Sequence, residues 1–136
     1  MNFLEKATDK DTLRTYQLEQ WGTLNGETCV IELSGLAARS FKVPRKDRYS
    51  FREERISVIR KRIGHYKPTL VVMYGASNKE DWERIAGETF PARNFFNLGP
   101  TILALMRHPA SRGVTNESLR RLGEKLRQFG SECSGT

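Results

Sequence analysis

A chain of 136 residues is most simply one domain, 1–136, long enough to bury a core without disulfide or metal support. The formal net charge of +7, with 29% charged residues, points to a polyanionic partner or to a surface that charge keeps soluble. Two unpatterned cysteines suggest a reducing compartment, no apolar run spans a bilayer, and the N-terminal stretch lacks a basic-then-apolar signal pattern, so a cytoplasmic protein is expected.

Thr8 to about Leu24 reads as a helix, with Thr8 as cap and Asp9 and Asp11 at its positive end. Asn25-Gly26 is a turn signal. Thr28 to Leu33 reads as a strand, with Cys29 expected in the core. Residues 34–50 read as a long loop carrying Arg39, Lys42, Arg45, Lys46 and Arg48, opposed only by Asp47. From Arg39 to Arg62, across this loop and the helix that follows it, clustered Lys and Arg can bind phosphates by releasing counterions, and Phe41 and Tyr49 can stack on unpaired bases. The alternative there is a solvated charged face with its two aromatics in the core.

A second helix is expected from Ser50, capped in a box with Glu53 and ended by Gly64. Ile56, Ile59 and Ile63 form its buried stripe, and Arg52, Arg55, Arg60, Lys61 and Arg62 its outer face. The apolar run Thr69 to Tyr74, closed by Gly75, suits a parallel strand covered on both faces. Ser77 and Glu80 form another capping-box pattern before a short helix that buries Trp82 and Ile85 and stops at Gly87. Gly75-Ala76-Ser77 is either an anion-binding helix start or, more simply, a tight turn. Arg93 to Asn97 reads as a short strand, Gly99-Pro100 as a turn, and Thr101 to Met106 as a buried strand. The last helix is expected from a Thr115 cap to Gly130, burying Leu119, Leu122, Leu126 and Phe129, with Ser131 to Thr136 fraying. This order predicts an α/β domain of three layers, with a short, mostly parallel central sheet flanked by helices.

Between the last strand and helix stands Arg107-His108-Pro109-Ala110-Ser111-Arg112-Gly113, at a strand end where open α/β sheets hold ligands. His108 can donate a hydrogen bond to charge developing on a ligand oxygen. Ser111 offers a hydroxyl and a backbone N–H to phosphate, and Arg112 a guanidinium. The alternative is an idle surface loop. The two histidines and two cysteines follow no metal-ligand spacing, and no Gly-rich phosphate loop or nucleophile elbow is present, so no metal or cofactor is expected.

Two stretches resemble the uracil-DNA glycosylase superfamily. Lys67-Pro68 to Gly75-Ala76 resembles its Lys-Pro, apolar, Gly-Ala strand, and His108 to Arg112, followed by Thr115-Asn116, resembles its His-Pro-Ser loop. Ala110 stands where the family commonly has Ser, and its first, Gly-rich motif has no counterpart before Cys29. The resemblance implies a base taken out of the DNA helix and cut from its sugar, with His108 as the catalytic residue stabilising the departing base. It implies Pro109, Ala110 and Ser111 as phosphate contacts and Arg112 near the wedge position. Glu32 is the one strand-end acid to test for activating water; otherwise it is structural or solvent-facing. The competing expectation is a non-catalytic module, monomeric by default, that binds nucleic acid or an acidic protein partner through the same scaffold.

Overall fold

The computed structural model describes residues 10–31, 33 and 51–134. The basic stretch with Arg39, Lys42, Arg45, Lys46 and Arg48 lies outside them, as do Thr8, Glu32 and Ser50. Two compact units divide the chain: Met1–Ile31 with Arg120–Thr136, and Glu32–Leu119. The elements are α1 (Lys10–Glu19), α2 (Arg52–Tyr66), β1 (Leu70–Tyr74), α3 (Lys79–Ala86), β2 (Phe95–Leu98), β3 (Thr101–Met106) and α4 (Asn116–Ser134).

In the second unit the three strands run in the order β1-β3-β2. β1 pairs β3 in parallel, from Leu70 opposite Ile102 to Tyr74 opposite Met106, while β2 pairs β3 antiparallel, from Phe95 opposite Ala104 to Leu98 opposite Thr101. The class is therefore α/β, with a small mixed sheet. β3 takes the central place because its residues tolerate burial on both faces: Thr101 to Leu105 are all buried, Leu103 and Ala104 completely. Gly99-Pro100 turns β2 into β3. Gly99 has φ 58, and the proline ring holds the next φ negative, the pattern of a type II′ hairpin. Asn94 before β2 takes φ 63, a turn that delays the strand to Phe95 instead of Arg93.

α3 meets the sheet through Trp82, Ile85 and Ala86, spaced to fall on one helix face. Burying each large side chain contributes roughly 1.5–3 kcal/mol. The Trp82 indole N–H donates to the Gly75 carbonyl at 3.2 Å, so its polar edge is satisfied. Phe90 and Phe96 pack edge to face at 5.1 Å, and the Phe90 N–H is held by the Glu83 carboxylate at 2.9 Å. α2 lies along α3 with Ile56 and Ile59 buried. Between the two helices Arg52 pairs Asp81 at 2.9 Å, and both terminal nitrogens of Arg84 reach the two oxygens of Glu53, at 2.7 Å and 2.5 Å.

Several helix ends differ from the sequence expectation. Glu53 is engaged by Arg84, and α2 starts after Phe51 with no side-chain cap. α2 runs through Gly64 and stops at Lys67, whose φ of 47 closes the last turn onto the Ile63 carbonyl; Pro68, lacking an N–H, then bars continuation. Ser77 lies inside a single 3-10 turn, Ala76–Asn78, so the Ser77–Glu80 box does not form. Gly87, with φ 77, does end α3. The start of α4 is a reciprocal box as expected of Thr115: the Ser118 N–H donates to the Thr115 hydroxyl at 3.1 Å, and the Thr115 N–H to the Ser118 hydroxyl at 2.9 Å. Gly130 is buried and does not stop this helix, which continues to Ser134 with the Ser131 hydroxyl bonded to the Arg127 carbonyl.

In the first unit α1 is shorter than expected, because the chain wraps back on its C-terminal carbonyls. The Gln20 carbonyl accepts from the Thr28 hydroxyl at 2.8 Å and the Thr28 N–H at 3.3 Å, while that hydroxyl accepts from the Gly22 N–H. This bonding overrides the strand propensity of Thr28 to Leu33: residues 28–31 form no strand, Cys29 and Val30 are exposed, and the expectation of a core Cys29 is corrected. The turn at Asn25-Gly26 does form, with the Gly26 N–H on the Thr23 carbonyl. Tyr16 is buried, and desolvation, with the charge of Glu27 second, raises its phenol above the ordinary range.

The Arg84 hydrogen bonds, opposed by desolvation and aided by the guanidinium charge, hold the Glu53 carboxyl below its ordinary range. A depressed folded value stabilises above the unfolded value of about 4.3 and is lost as pH falls through the folded one. Glu53→Gln should therefore be less stable than wild type in urea at pH 7, with the gap closing as the pH is taken below 4.

The glycines make a second test. A Cβ at Gly64 or Gly123 meets nothing within 4 Å, so Gly64→Ala and Gly123→Ala should each stabilise their helices by about 0.5–1 kcal/mol in urea melts. Gly26→Ala should destabilise, since its Cβ would fall on the Gln20 carbonyl and the Thr23 hydroxyl.

Candidate nucleic-acid interface

The parallel pairing of β1 and β3 brings two turns to one end of the sheet. Gly75 donates its N–H to the Met106 carbonyl at 3.0 Å, so the turn after β1 is stitched to the end of β3 just where Arg107 begins. Gly75 has φ 101, which glycine adopts without steric cost, and its carbonyl accepts from Asn78 as well as from Trp82. Gly75 to Asn78 is thus a tight turn.

The loop after β3 is closed by its own atoms. The Ser111 N–H donates to the His108 carbonyl at 2.8 Å, and the Val114 N–H to the Ser111 carbonyl at 3.1 Å. The Ala110 N–H donates to His108 Nδ1 at 3.1 Å. Across the loop Arg107 Nη2 donates to the Arg112 carbonyl at 2.7 Å, beside Gly113, whose φ is 86. The Tyr74 ring stands edge-on to the His108 imidazole at 6.0 Å. His108, Pro109, Ala110 and Arg112 are exposed, and Ser111 is half-buried.

This geometry decides what each residue can offer. Nδ1 of His108 is an acceptor, so the proton of the neutral ring sits on Nε2, which is left as a donor. The backbone N–H groups of Ala110 and Ser111 are used inside the loop, and Pro109 has none; the expected amide of Ser111 is therefore not available to a phosphate, although its hydroxyl is. The amides of Arg112 and Gly113 make no hydrogen bond among the described residues, and neither does the Arg112 guanidinium. Sequence reasoning missed Arg107 as the brace of the loop and Tyr74 as the wall beside His108. Gly113 was the available signal for the first, because a glycine at a positive φ marks where the chain doubles back under a neighbour.

Among the described residues no carboxylate is hydrogen-bonded or ion-paired to His108, and no group of three His, Cys, Asp or Glu side chains is arranged to hold a metal ion. No described helix is long and apolar enough to cross a membrane.

A two-bond proton–nitrogen correlation spectrum at neutral pH should report the Nε2–H tautomer for His108; a ring protonated at Nδ1 would contradict the Ala110 hydrogen bond.

Compared with known protein families, with curated proteins and with solved structures, the chain matches none.

Proposed function

We propose that this protein binds DNA through the His108–Arg112 turn and acts on it as a uracil-DNA glycosylase-like enzyme of base-excision repair. The observation that supports this best is the Ala110 N–H bond to His108 Nδ1 at the sheet end, which leaves Nε2–H to donate. In the reaction the bond between the sugar carbon and the base nitrogen breaks, and its electron pair passes to the base. Nε2–H of His108 donates to the base oxygen on which that charge collects, a role worth roughly 2.7–4 kcal/mol for one well-aimed donor. The oxygen of water forms the new bond to the sugar, and the proton it loses balances the negative charge of the departing base, which leaves as free uracil. The Ser111 hydroxyl and the Arg112 guanidinium with its amide take the phosphates, and Pro109 and Ala110 line the contact. The basic stretch with Arg39, Lys42, Arg45, Lys46 and Arg48 would add further phosphate contacts. The same reading includes the three-layer arrangement with a mostly parallel sheet, and a cytoplasmic, monomeric protein that needs neither metal nor cofactor.

A second reading is favoured by the exposure of the turn and by the lack of a carboxylate partner for His108 among the described residues: a module that binds nucleic acid, or an acidic protein, without cutting a base. A uracil-containing duplex separates the two. Under the first reading free uracil is released, and His108→Ala lowers the rate by about 10²–10³ while leaving duplex affinity nearly unchanged. Arg112→Gln should weaken the affinity and reduce the salt slope by about 0.9. Salt-dependent binding without uracil release supports the module, and an absence of duplex binding defeats both nucleic-acid readings.

A further inference from the structure

The last turns of α2 carry Arg60, Lys61 and Arg62, and Lys67 caps them; all four are exposed and none has a hydrogen-bonding or ionic partner for its side chain among the described residues. No acidic residue occurs between Arg55 and Lys79, so nothing in that stretch neutralises them. Among these cations stands Tyr66, 74% exposed, its ring held edge-on by His65 at 4.8 Å. On the helix Lys61 and His65 are one turn apart, as are Arg62 and Tyr66, so cations and rings lie in adjacent stripes.

This cluster is remote from the His108 turn. A short connection, Lys67 to Thr69, leads from α2 into the start of β1, and the Thr69 carbonyl bonds the Ile102 N–H at the start of β3. The His108 turn follows the other end of β3, five residues further along two parallel strands. The sheet thus separates the two by roughly 16 Å of strand.

From this arrangement we infer a second polyanion surface, at the C-terminal end of α2, whose partner is single-stranded nucleic acid. Arg60, Lys61, Arg62 and Lys67 take successive phosphates, and an unpaired base stacks on Tyr66. An intact duplex offers its bases no access to a ring on a helix end, whereas every unpaired base has a π-face to present. A lipid surface would call for an apolar wedge beside the cations, and residues 60–67 expose only the amphipathic Tyr66.

The test measures the full chain against a fluorescent oligothymidylate of about 15 nucleotides by anisotropy, at several salt concentrations. Tyr66→Ala should weaken binding roughly five- to hundredfold, and Tyr66→Phe, which keeps the ring, should bind like wild type. The double variant Lys61→Gln, Arg62→Gln should lower the salt slope by about 1.4. Uracil release from a duplex is measured on the same preparation, so failure here and failure of the His108 reading are told apart. The inference is overturned if wild type does not bind the strand at low salt, or if Tyr66→Ala binds as wild type does. It is equally overturned if Tyr66→Phe fails as badly as Tyr66→Ala, or if the chain binds phosphatidylserine vesicles and not the oligonucleotide.

Discussion

The parallel ladder between β1 and β3 is the constraint on which the second unit depends. Because the two strands point the same way, the turns that follow them must emerge together, and the Gly75–Met106 hydrogen bond ties them at that edge. β3 can serve as the shared partner because Thr101 to Leu105 accept burial on both faces, and its other edge is filled by β2 through a two-residue turn. Displace β3 by one residue and every side chain along it would change face, carrying the His108 loop away from Tyr74.

Around that ladder three acids of the unit are engaged by partners within the fold. Asp81 holds Arg52, Glu53 holds Arg84, and Glu83 accepts from the Phe90 N–H with Lys79 at 3.7 Å. Such exposed pairs contribute little each, since water screens them. Their larger effect is on what is left over. With these carboxylates already occupied, Arg60, Lys61, Arg62, Lys67 and Arg112 stand without ionic partners among the described residues. The positive surface follows from how the fold distributes its charges as much as from their number.

Much of this unit was legible in the sequence, because its elements are defined by local pattern. The apolar runs at Leu70 to Tyr74 and Thr101 to Met106, the Ile56 and Ile59 stripe, the Trp82 and Ile85 face and the Thr115 cap all express spacing that tertiary contacts did not need to overrule, although β1 lies at the sheet edge with only Met73 buried, short of the two covered faces its run suggests, and Ile63 is only half-buried. Two of the misreadings share a cause: a local signal competed with a partner elsewhere in the chain. Glu53 fits a capping box but meets Arg84, 31 residues away. Thr28 to Leu33 has strand propensity, yet its first residue is tied to the end of α1. Gly64 reads as a stop, but an open helix face tolerates it until Pro68 intervenes. At the candidate site the residue types were readable, while the assignment of Ala110 and Ser111 amides to internal bonds was not, since it depends on how tightly the loop closes.

That closure bears directly on the chemistry. A loop that left its amides open would attract phosphate through backbone dipoles, and His108 would be free to take either tautomer. Here the amide of Ala110 fixes the ring and the amide of Ser111 fixes the turn, while Arg107 braces the far side. The loop thereby uses two potential phosphate donors internally and holds the imidazole in one orientation. An arrangement serving only to hold a backbone would gain the satisfied Ala110 amide from this bond, with the fixed tautomer as its by-product. One that must meet a particular oxygen gains from preorganisation, because the donor need not reorient as charge develops. Under the proposed reading, the His108 turn would recognise a specific acceptor atom and the exposed cations of α2 would supply general electrostatic capture.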